Sequence, residues 1–166
     1  MTDVAVHVLG EEDWQTYRRL RLAALKSDPD SFAADPAAEE RYDEQRWRER
    51  MRRSRRLVAS RGEGDIGVAS VGPARDDEGV MEGIAELFGM WVAPEARGSG
   101  VAWELVTAAA KQAHKDGHHQ LRLWVSTDNG RAVGFYSSYG FRPADERRPM
   151  TTDDTVEEAA MTLPLS

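Results

Sequence analysis

The stretch that decides the fold is residues 90–102, which read MWVAPEARGSGVA. A β-capable segment ending at Val92 is followed by a turn with two glycines and then by the start of an apolar-periodic helix. Gly98 and Gly100 can adopt backbone angles closed to other residues, and they carry no side chain that would block a ligand. Because the first N–H groups of a helix lack partners within it, this turn predicts a phosphate site bordered by the charge of Arg97.

Three kinds of phosphate-binding loop compete for this turn. A Walker loop requires Gly-Lys-Ser/Thr, and the turn contains no lysine. The dinucleotide-binding pattern Gly-x-Gly-x-x-Gly/Ala requires a small residue at its last position, where this chain has Trp103. It also expects an acidic residue at the end of the next strand, and the strand Leu121 to Val125 has none. The third pattern, Arg/Gln-x-x-Gly-x-Gly/Ala, is matched by Arg97, Gly100 and Ala102.

A second motif follows at residues 129–141, which read NGRAVGFYSSYGF. With its Asn…Phe-Tyr-x-x-x-Gly-Phe spacing, and with the glycine turn before it, the chain resembles the GNAT superfamily of N-acetyltransferases, in particular its small, single-domain bacterial members. The resemblance is strongest from Ile84 to Phe141. In that family a loop of this form holds the pyrophosphate of acetyl-CoA.

The resemblance implies a coenzyme site and leaves the acyl group, acetyl or longer, open. Backbone groups near Trp91 are expected to pair with the pantetheine arm like an added strand, and one N–H to stabilise the developing oxyanion. Asn129 is expected to contact the pantetheine, to cap the following helix, or both. The implied acetyl-CoA residues are Met90, Trp91, Val92, Arg97, Gly98, Ser99, Gly100, Val101, Ala102, Asn129 and Tyr136.

The resemblance also implies a reaction in which a primary amine attacks the thioester directly. Tyr136 matches the tyrosine that protonates the departing thiolate, and the alternative is a tyrosine packed in the core. Glu86 lies near where some members carry a glutamate base that acts through water, and the alternative is a solvent-facing strand residue. Tyr139 is expected only to pack. Glu39 and Glu40 are candidates to face a cationic amine, or are simply surface residues.

The remaining patterns predict one domain over residues 1–166 with an α/β or α+β mixed sheet, and the resemblance implies the α/β (α+β) GNAT fold. Its mixed, largely antiparallel sheet has about six to seven strands and is flanked by about four helices. Strands are predicted at Val4–Val8, Leu57–Ser60, Ile66–Val71, Ile84–Val92, Leu121–Val125, Phe141 and Val156–Leu163, helices at Glu11–Lys26, Asp35–Arg53, Gly100–Lys115 and Asn129–Tyr139, and a loop at Gly72–Gly79.

Composition narrows the function classes. The net charge of −7 disfavours general nucleic-acid binding and mildly favours a cationic partner, so the arginines between residues 46 and 56 are interpreted as a solvated helix face. The chain has no cysteine, and His114, His118 and His119 complete no metal-ligand pattern, so no metal is predicted. No membrane-length apolar run or signal pattern is present, and a cytoplasmic protein is predicted.

The predicted partner is therefore an amine-bearing small molecule or a protein amine. Neither nucleic acid nor a membrane is a predicted partner. A homodimer is common among the proteins that the chain resembles. Two other functions stay open. One is a non-catalytic CoA- or acyl-CoA-binding sensor on the same fold. The other is a different phosphate-ligand protein, which the missing lysine and Trp103 disfavour.

Overall fold

The computed structural model describes residues 3–32, 34–150 and 155–166. These residues form seven strands and five α-helices, with short 3₁₀ turns between some of them. The strands are β1 Val4–Val8, β2 Arg55–Arg61, β3 Gly64–Asp76, β4 Gly79–Val92, β5 Gln120–Ser126, β6 Arg142–Pro149 and β7 Glu157–Pro164. The helices are α1 Trp14–Ser27, α2 Pro36–Glu40, α3 Glu44–Arg53, α4 Val101–Lys115 and α5 Gly130–Tyr139.

The strands form one sheet in the order β1-β2-β3-β4-β5-β7-β6. Every neighbouring pair is antiparallel except β4 and β5, which run parallel and are joined by α4. The predicted mixed, largely antiparallel sheet is therefore confirmed. A parallel pair needs a crossover connection, so the start of α4 lies near the end of β4 from which that connection departs.

Different helices cover the two faces of the sheet. On one face, α4 buries its apolar stripe, including the fully buried Leu105, against strand residues such as Leu57 and Leu121. On the other face, α1 and α3 pack over β2, β3 and the end of β4, where Trp47 is fully buried. The two faces follow from the alternation of side chains along each strand, since adjacent residues point to opposite sides.

The helix predicted from Asp35 to Arg53 is wrong in its extent. The structure has two helices there, because α2 ends at Glu40 and α3 starts after a new cap. The side chain of Asp43 accepts a hydrogen bond from the backbone N–H of Arg46 at 2.9 Å, which satisfies a donor at the start of α3. The described residues thus form five helices, where about four were predicted.

The loop predicted from Gly72 to Gly79 is also wrong. Strand β3 continues to Asp76 and β4 begins at Gly79, so the two strands form a long hairpin. Pro73 lies beyond Val71, the last β3 residue that pairs with β2, and next to an irregularity in the ladder to β4. A proline is tolerated at such a position because its missing N–H does not break a central ladder.

The arginine-rich segment is largely occupied by ion pairs. Arg48 pairs with Glu11, Glu12 and Glu44, and Arg55 pairs with Asp116. These contacts tie α3 and the start of β2 to neighbouring elements. Within the three described ranges, no helix is both long enough and apolar enough to cross a membrane.

Glu39 does not face solvent. It is only 5% exposed, and its carboxylate lies 3.1 Å from the Nε of Arg21 and 2.8 Å from Nη1 of Arg50. Burial alone would raise the pKa of Glu39, but hydrogen bonds from Arg21 and Arg50 outweigh it and hold the pKa below its ordinary value. Glu39 therefore ties α1, α2 and α3 together.

We predict that Glu39→Gln lowers the free energy of unfolding at pH 7 by about 3 kcal/mol, because it leaves two partly buried guanidinium groups without a charged partner. A group whose pKa is depressed by folding stabilises the protein above its unfolded value of 4.5, and this stabilisation is lost as the pH falls. The difference between wild type and variant should therefore shrink below about pH 4.5 in urea denaturation.

Glu40→Gln is the matched control. Glu40 pairs with Lys26 at 3.3 Å, and both side chains are more than half exposed. Its replacement should change stability by less than about 0.5 kcal/mol. An effect of Glu39→Gln that is no larger than that of Glu40→Gln would contradict the buried role of Glu39.

Candidate functional site

The parallel strands β4 and β5 are paired over only three residues. Their ladder joins residues 84–86 of β4 to residues 120–122 of β5, and in the described chain no further pair joins the two strands. Beyond this point β4 stays paired with β3 as far as Val92, and β5 stays paired with β7 as far as Ser126. The two strands therefore diverge into a wedge whose inner backbone edges lack a neighbouring strand.

A bulge at Gly89 accompanies this divergence. In the ladder to β3, Phe88 faces Ser70 but Trp91 faces Val68, so β4 carries one extra residue there. Gly89 adopts a positive φ of 61°, a conformation that glycine reaches without strain. A bulge bends the strand that carries it, and this one bends β4 at the mouth of the wedge. A lone glycine within a strand pattern is the sequence signal for such a bulge.

The predicted glycine turn lies at the wide end of the wedge. Gly98 and Gly100 have positive φ values of 81° and 86°, and a side chain at position 98 would meet nothing within 4 Å. Helix α4 begins directly after Gly100, and no side-chain hydrogen bond from the described residues caps its first turn. The free N–H groups of that turn and the helix dipole favour an anion at this point.

A cleft of about 690 Å³ connects the glycine turn to the wedge. Of the predicted coenzyme residues, it brings together Met90, Val92, Arg97, Gly98, Gly100, Val101, Ala102, Asn129 and Tyr136. Trp103, Arg131 and Phe135 also line it, and the sequence patterns had not assigned them to the site. Their only sequence signal was their place directly beside the two motifs.

Arg97 borders the turn as predicted, but its guanidinium is already engaged. Its Nε donates to the carbonyl of Val92 at 2.9 Å, and its Nη2 donates to Asp28 at 2.7 Å. Burial alone would raise the pKa of Asp28, but hydrogen bonds from Trp91 and Arg97 outweigh it and lower the pKa. The charge of Arg97 is thus shared with a carboxylate at the end of α1.

Two further predicted coenzyme residues, Ser99 and Trp91, have structural contacts of their own. Ser99 donates to the carbonyl of Ala96 at 2.5 Å and accepts a hydrogen bond from Arg61 at 2.9 Å. Arg61, at the end of β2, is a second cation near the turn that the sequence did not indicate. Trp91 is 8% exposed on the opposite face of the sheet, where its indole donates to Asp28 at 2.7 Å. Only the backbone of Trp91 can therefore take part in a site within the wedge.

Tyr136 lies where the wedge narrows. Its ring packs edge-on against Phe135 and Phe141, and its hydroxyl has no hydrogen-bond partner among residues 3–32, 34–150 and 155–166. Burial raises the pKa of Tyr136 to about 12, so the hydroxyl stays protonated at neutral pH. Tyr139 packs against Trp103, and its hydroxyl lies 2.8 Å from that of Thr107, consistent with a packing role.

Asn129 caps helix α5. Its side-chain oxygen accepts a hydrogen bond from the N–H of Ala132 at 3.1 Å, which confirms the predicted capping role. The residue also lines the cleft, so its side-chain NH₂ is near the wedge. The cap therefore holds the side-chain NH₂ of Asn129 beside the wedge, where contact with a pantetheine arm is predicted.

A second pocket of about 340 Å³ adjoins the cleft at Met90, Asn129, Ala132 and Tyr136. Glu86 lines this pocket and lies 3.0 Å from Nη2 of the buried Arg122. The structure thus brings both predicted catalytic residues to one pocket, with the glutamate already paired. Within the described ranges, no group of three or more His, Asp or Glu residues is arranged to hold a metal.

The site fits acetyl-CoA in two respects, at the start of α4 and along the unpaired strand edges. An anion site, an adjoining cleft and unpaired strand edges follow one another from the start of α4 to Tyr136. A pyrophosphate suits the first and an extended amide-bearing arm suits the last, because such an arm can pair like an added strand. The reacting end of the coenzyme would then lie at the second pocket.

Comparisons with known proteins agree with this geometry. The sequence matches the Acetyltransferase (GNAT) family over residues 14–141. It is 32% identical over 85 residues to the mycothiol acetyltransferase of Paenarthrobacter aurescens, a match that covers 51% of this chain and 26% of that protein. The chain spans about a quarter of the length of the curated relatives that it matches first.

Two solved structures share the fold. The ribosomal-protein-alanine N-acetyltransferase of Brucella melitensis superposes with a TM-score of 0.74 at 22% identity, over 97% of this chain and 99% of that one. A Salmonella typhimurium protein solved with its cofactor acetyl-CoA superposes with a TM-score of 0.73 at 17% identity. The match covers 99% of this chain and 95% of that one. Because the family match covers residues 14–141, the chain belongs to the GNAT acetyltransferase family, and its curated relatives include one named an N-acetyltransferase and others named mycothiol acetyltransferases.

Proposed function

We propose that this chain, residues 1–166 as one domain, is an acetyl-CoA-dependent N-acetyltransferase that moves an acetyl group to a primary amine by direct attack. The observation that carries the proposal is the divergence of β4 from β5, which links the uncapped start of α4 to the hydroxyl of Tyr136. A cytoplasmic location and a homodimer stay predictions from the sequence.

The residues proposed to hold the coenzyme divide by position. The N–H groups of Val101 and Ala102, with Gly98 and Gly100, would bind the pyrophosphate, because no side chain in the described part of the protein accepts a hydrogen bond at the start of α4. The open edge of β4 near Met90 would pair with the pantetheine arm, together with the amide of Asn129. Arg97 and Ser99 would support the turn through their own hydrogen bonds.

When bound, acetyl-CoA supplies the acetyl group as a thioester whose carbonyl carbon the amine attacks, forming the C–N bond as the C–S bond breaks. Tyr136 would give its proton to the departing sulfur, since its raised pKa keeps the proton in place until then. Glu86 would take a proton from the amine, directly or through water. Its Oε1 is paired with Arg122, while Oε2 has no partner in the described part of the chain.

The coenzyme site is tested by Ala102→Glu. Ala102 is the second residue of α4 and lines the cleft, so a carboxylate there would occupy the anion site without disfavouring the helix. We expect calorimetry to show acetyl-CoA binding by the wild type, with no binding of ATP or NAD. The variant should bind acetyl-CoA about 100-fold more weakly because the like charges repel.

Gln15→Glu is its control, since it adds the same charge at the second residue of α1, where the side chain is exposed. Its affinity for acetyl-CoA should equal that of the wild type. A folded wild-type protein that does not bind acetyl-CoA would remove the proposal. Equal binding by Ala102→Glu would show that the turn does not hold the coenzyme.

The proposed acid is tested by Tyr136→Phe. We expect kcat to fall by about 10²- to 10⁴-fold with little change in acetyl-CoA affinity, because the phenol acts only on the leaving thiolate. Tyr139→Phe should retain kcat, since that hydroxyl contacts Thr107. Release of CoA thiol reports the rate without interference, because the chain has no cysteine. Full activity of Tyr136→Phe would contradict the role, and wild-type binding without turnover would favour the sensor function.

The proposed base is tested by Glu86→Gln across pH. We expect kcat/KM to fall at neutral pH and to recover as the pH approaches the pKa of the free amine, about 10.4 for a lysine-like group. The recovery follows because an amine that has already lost its proton needs no base. Glu82→Gln, at an exposed position earlier on β4, should behave like the wild type. An unchanged rate of Glu86→Gln at every pH would rule out the role.

A further inference from the structure

Among the residues that the structure describes, two carboxylates line the second pocket, and both are paired. Glu86 lies 3.0 Å from Nη2 of Arg122, and Glu158 lies 2.9 Å from Nε of Arg148. A polyamine is bound best by carboxylates whose charge is not already balanced. The pocket therefore does not have the electrostatics expected for a polycationic acceptor, although the whole chain is acidic.

Arg148 is held in one orientation by two contacts. Its guanidinium lies 4.2 Å from the ring centroid of Trp124, close enough for a cation–π interaction. Its Nε donates to Glu158, the residue directly opposite on β7. Stacking and the Nε hydrogen bond together fix the plane of the guanidinium before any ligand arrives.

The outer donors of this guanidinium are free. In the part of the chain that the structure describes, neither Nη1 nor Nη2 of Arg148 donates a hydrogen bond, and the side chain is 49% exposed. Two parallel N–H groups on a fixed plane match the two oxygens of a carboxylate. Arg148 thus presents a bidentate carboxylate-binding edge at a pocket that also contains Glu86 and Tyr136.

A buried cation behind the pocket adds to the positive field. Arg56 is 3% exposed and donates to the carbonyl of Arg50 and the hydroxyl of Ser70, and no carboxylate within the described ranges pairs with it. Its guanidinium lies 5.6 Å from the ring of Phe88, which lines the pocket. Asp128, which hydrogen-bonds Ser126 on the pocket wall, is exposed, so solvent screens its charge.

We propose that the acceptor is a small primary amine that carries a carboxylate close to its amino group, as in an amino acid. Arg148 binds that carboxylate and so determines specificity, while the amino group faces Glu86 and Tyr136. The inference rests on the proposed N-acetyltransferase function and deepens it by naming the acceptor class. The pocket volume of about 340 Å³ suits a molecule of this size.

The test compares acceptors that differ only in the carboxylate. L-alanine, L-phenylalanine and L-glutamate are assayed against their α-amides, with 2-phenylethylamine and spermidine as amines that lack a carboxylate. The α-amide has the less basic amino group and so the larger neutral fraction at pH 7. A preference for the acid therefore cannot come from amine reactivity. We expect wild-type kcat/KM to favour the best amino acid over its amide by about 10- to 100-fold, as for a hydrogen-bonded charge pair.

Arg148→Met should reduce this ratio to about 1 through a higher KM for the amino acid, and leave kcat/KM for the amide within about twofold. Arg148→Lys, which keeps the charge without the bidentate edge, should lose part of the ratio. Arg147→Met is the matched control, because among the described residues the neighbouring Arg147 donates hydrogen bonds to the backbone carbonyls of Ala144 and Glu146 and to no side chain. It should keep the wild-type ratio.

The results separate this inference from the function on which it rests. Preference of the wild type for the amides or spermidine, failure to acetylate any amino acid, or an unchanged ratio in Arg148→Met would each overturn the acceptor class. Calorimetry with acetyl-CoA is run on the same samples. Binding of acetyl-CoA with turnover of other amines would leave the proposed function standing, whereas a folded wild type without binding would remove both.

Discussion

The early divergence of β4 from β5 is the constraint on which the rest of the site depends. A ladder that continued beyond Glu86 would pair the backbone groups of both strands and leave no groove. Because β3 and β7 satisfy the outer edges, only the inner edges face the wedge, and buried backbone groups left without a partner are costly. An extended ligand bound along the inner edges of β4 and β5 would supply hydrogen-bond partners for these backbone groups. The positive φ of Gly89 lets β4 bend at the required point.

Topology then brings the anion site to the same place. The parallel pair requires a crossover, and α4 is that crossover, so its first turn lies at the end of the strand that diverges. The start of α4, where we propose that the pyrophosphate binds, therefore adjoins the open edge of β4. Asp28 adds a link to the other face, because it accepts hydrogen bonds from both Arg97 and Trp91. Its lowered pKa keeps it ionised at neutral pH, so the end of α1 and the glycine turn remain joined.

Local patterns in the sequence predicted the elements whose signals are themselves local. The β4–α4 turn and the Asn129 cap depend on glycine and capping chemistry within a few residues, and both lie where predicted. The split of the helix at 35–53 depended on one capping carboxylate, that of Asp43, in a segment that otherwise favours a continuous helix. The strand through Pro73 depended on where β2 begins, because Arg55, its first residue, pairs with Val71, and this register is a property of the whole sheet. Tertiary pairing of this kind overrides a turn signal.

The charges of the site were also beyond what local sequence patterns can predict. A net charge of −7 favours a cationic partner on average, but a pocket is governed by the few groups within several ångströms of it. The contacts of Glu39, Glu86 and Glu158 with arginines from other elements join residues at least ten positions apart in the chain. No local pattern marks which carboxylates are neutralised in this way. The orientation of the Arg148 guanidinium is a property of the assembled sheet, because it depends on contacts with Glu158 on β7 and with Trp124 on β5. The sequence alone therefore could not predict it.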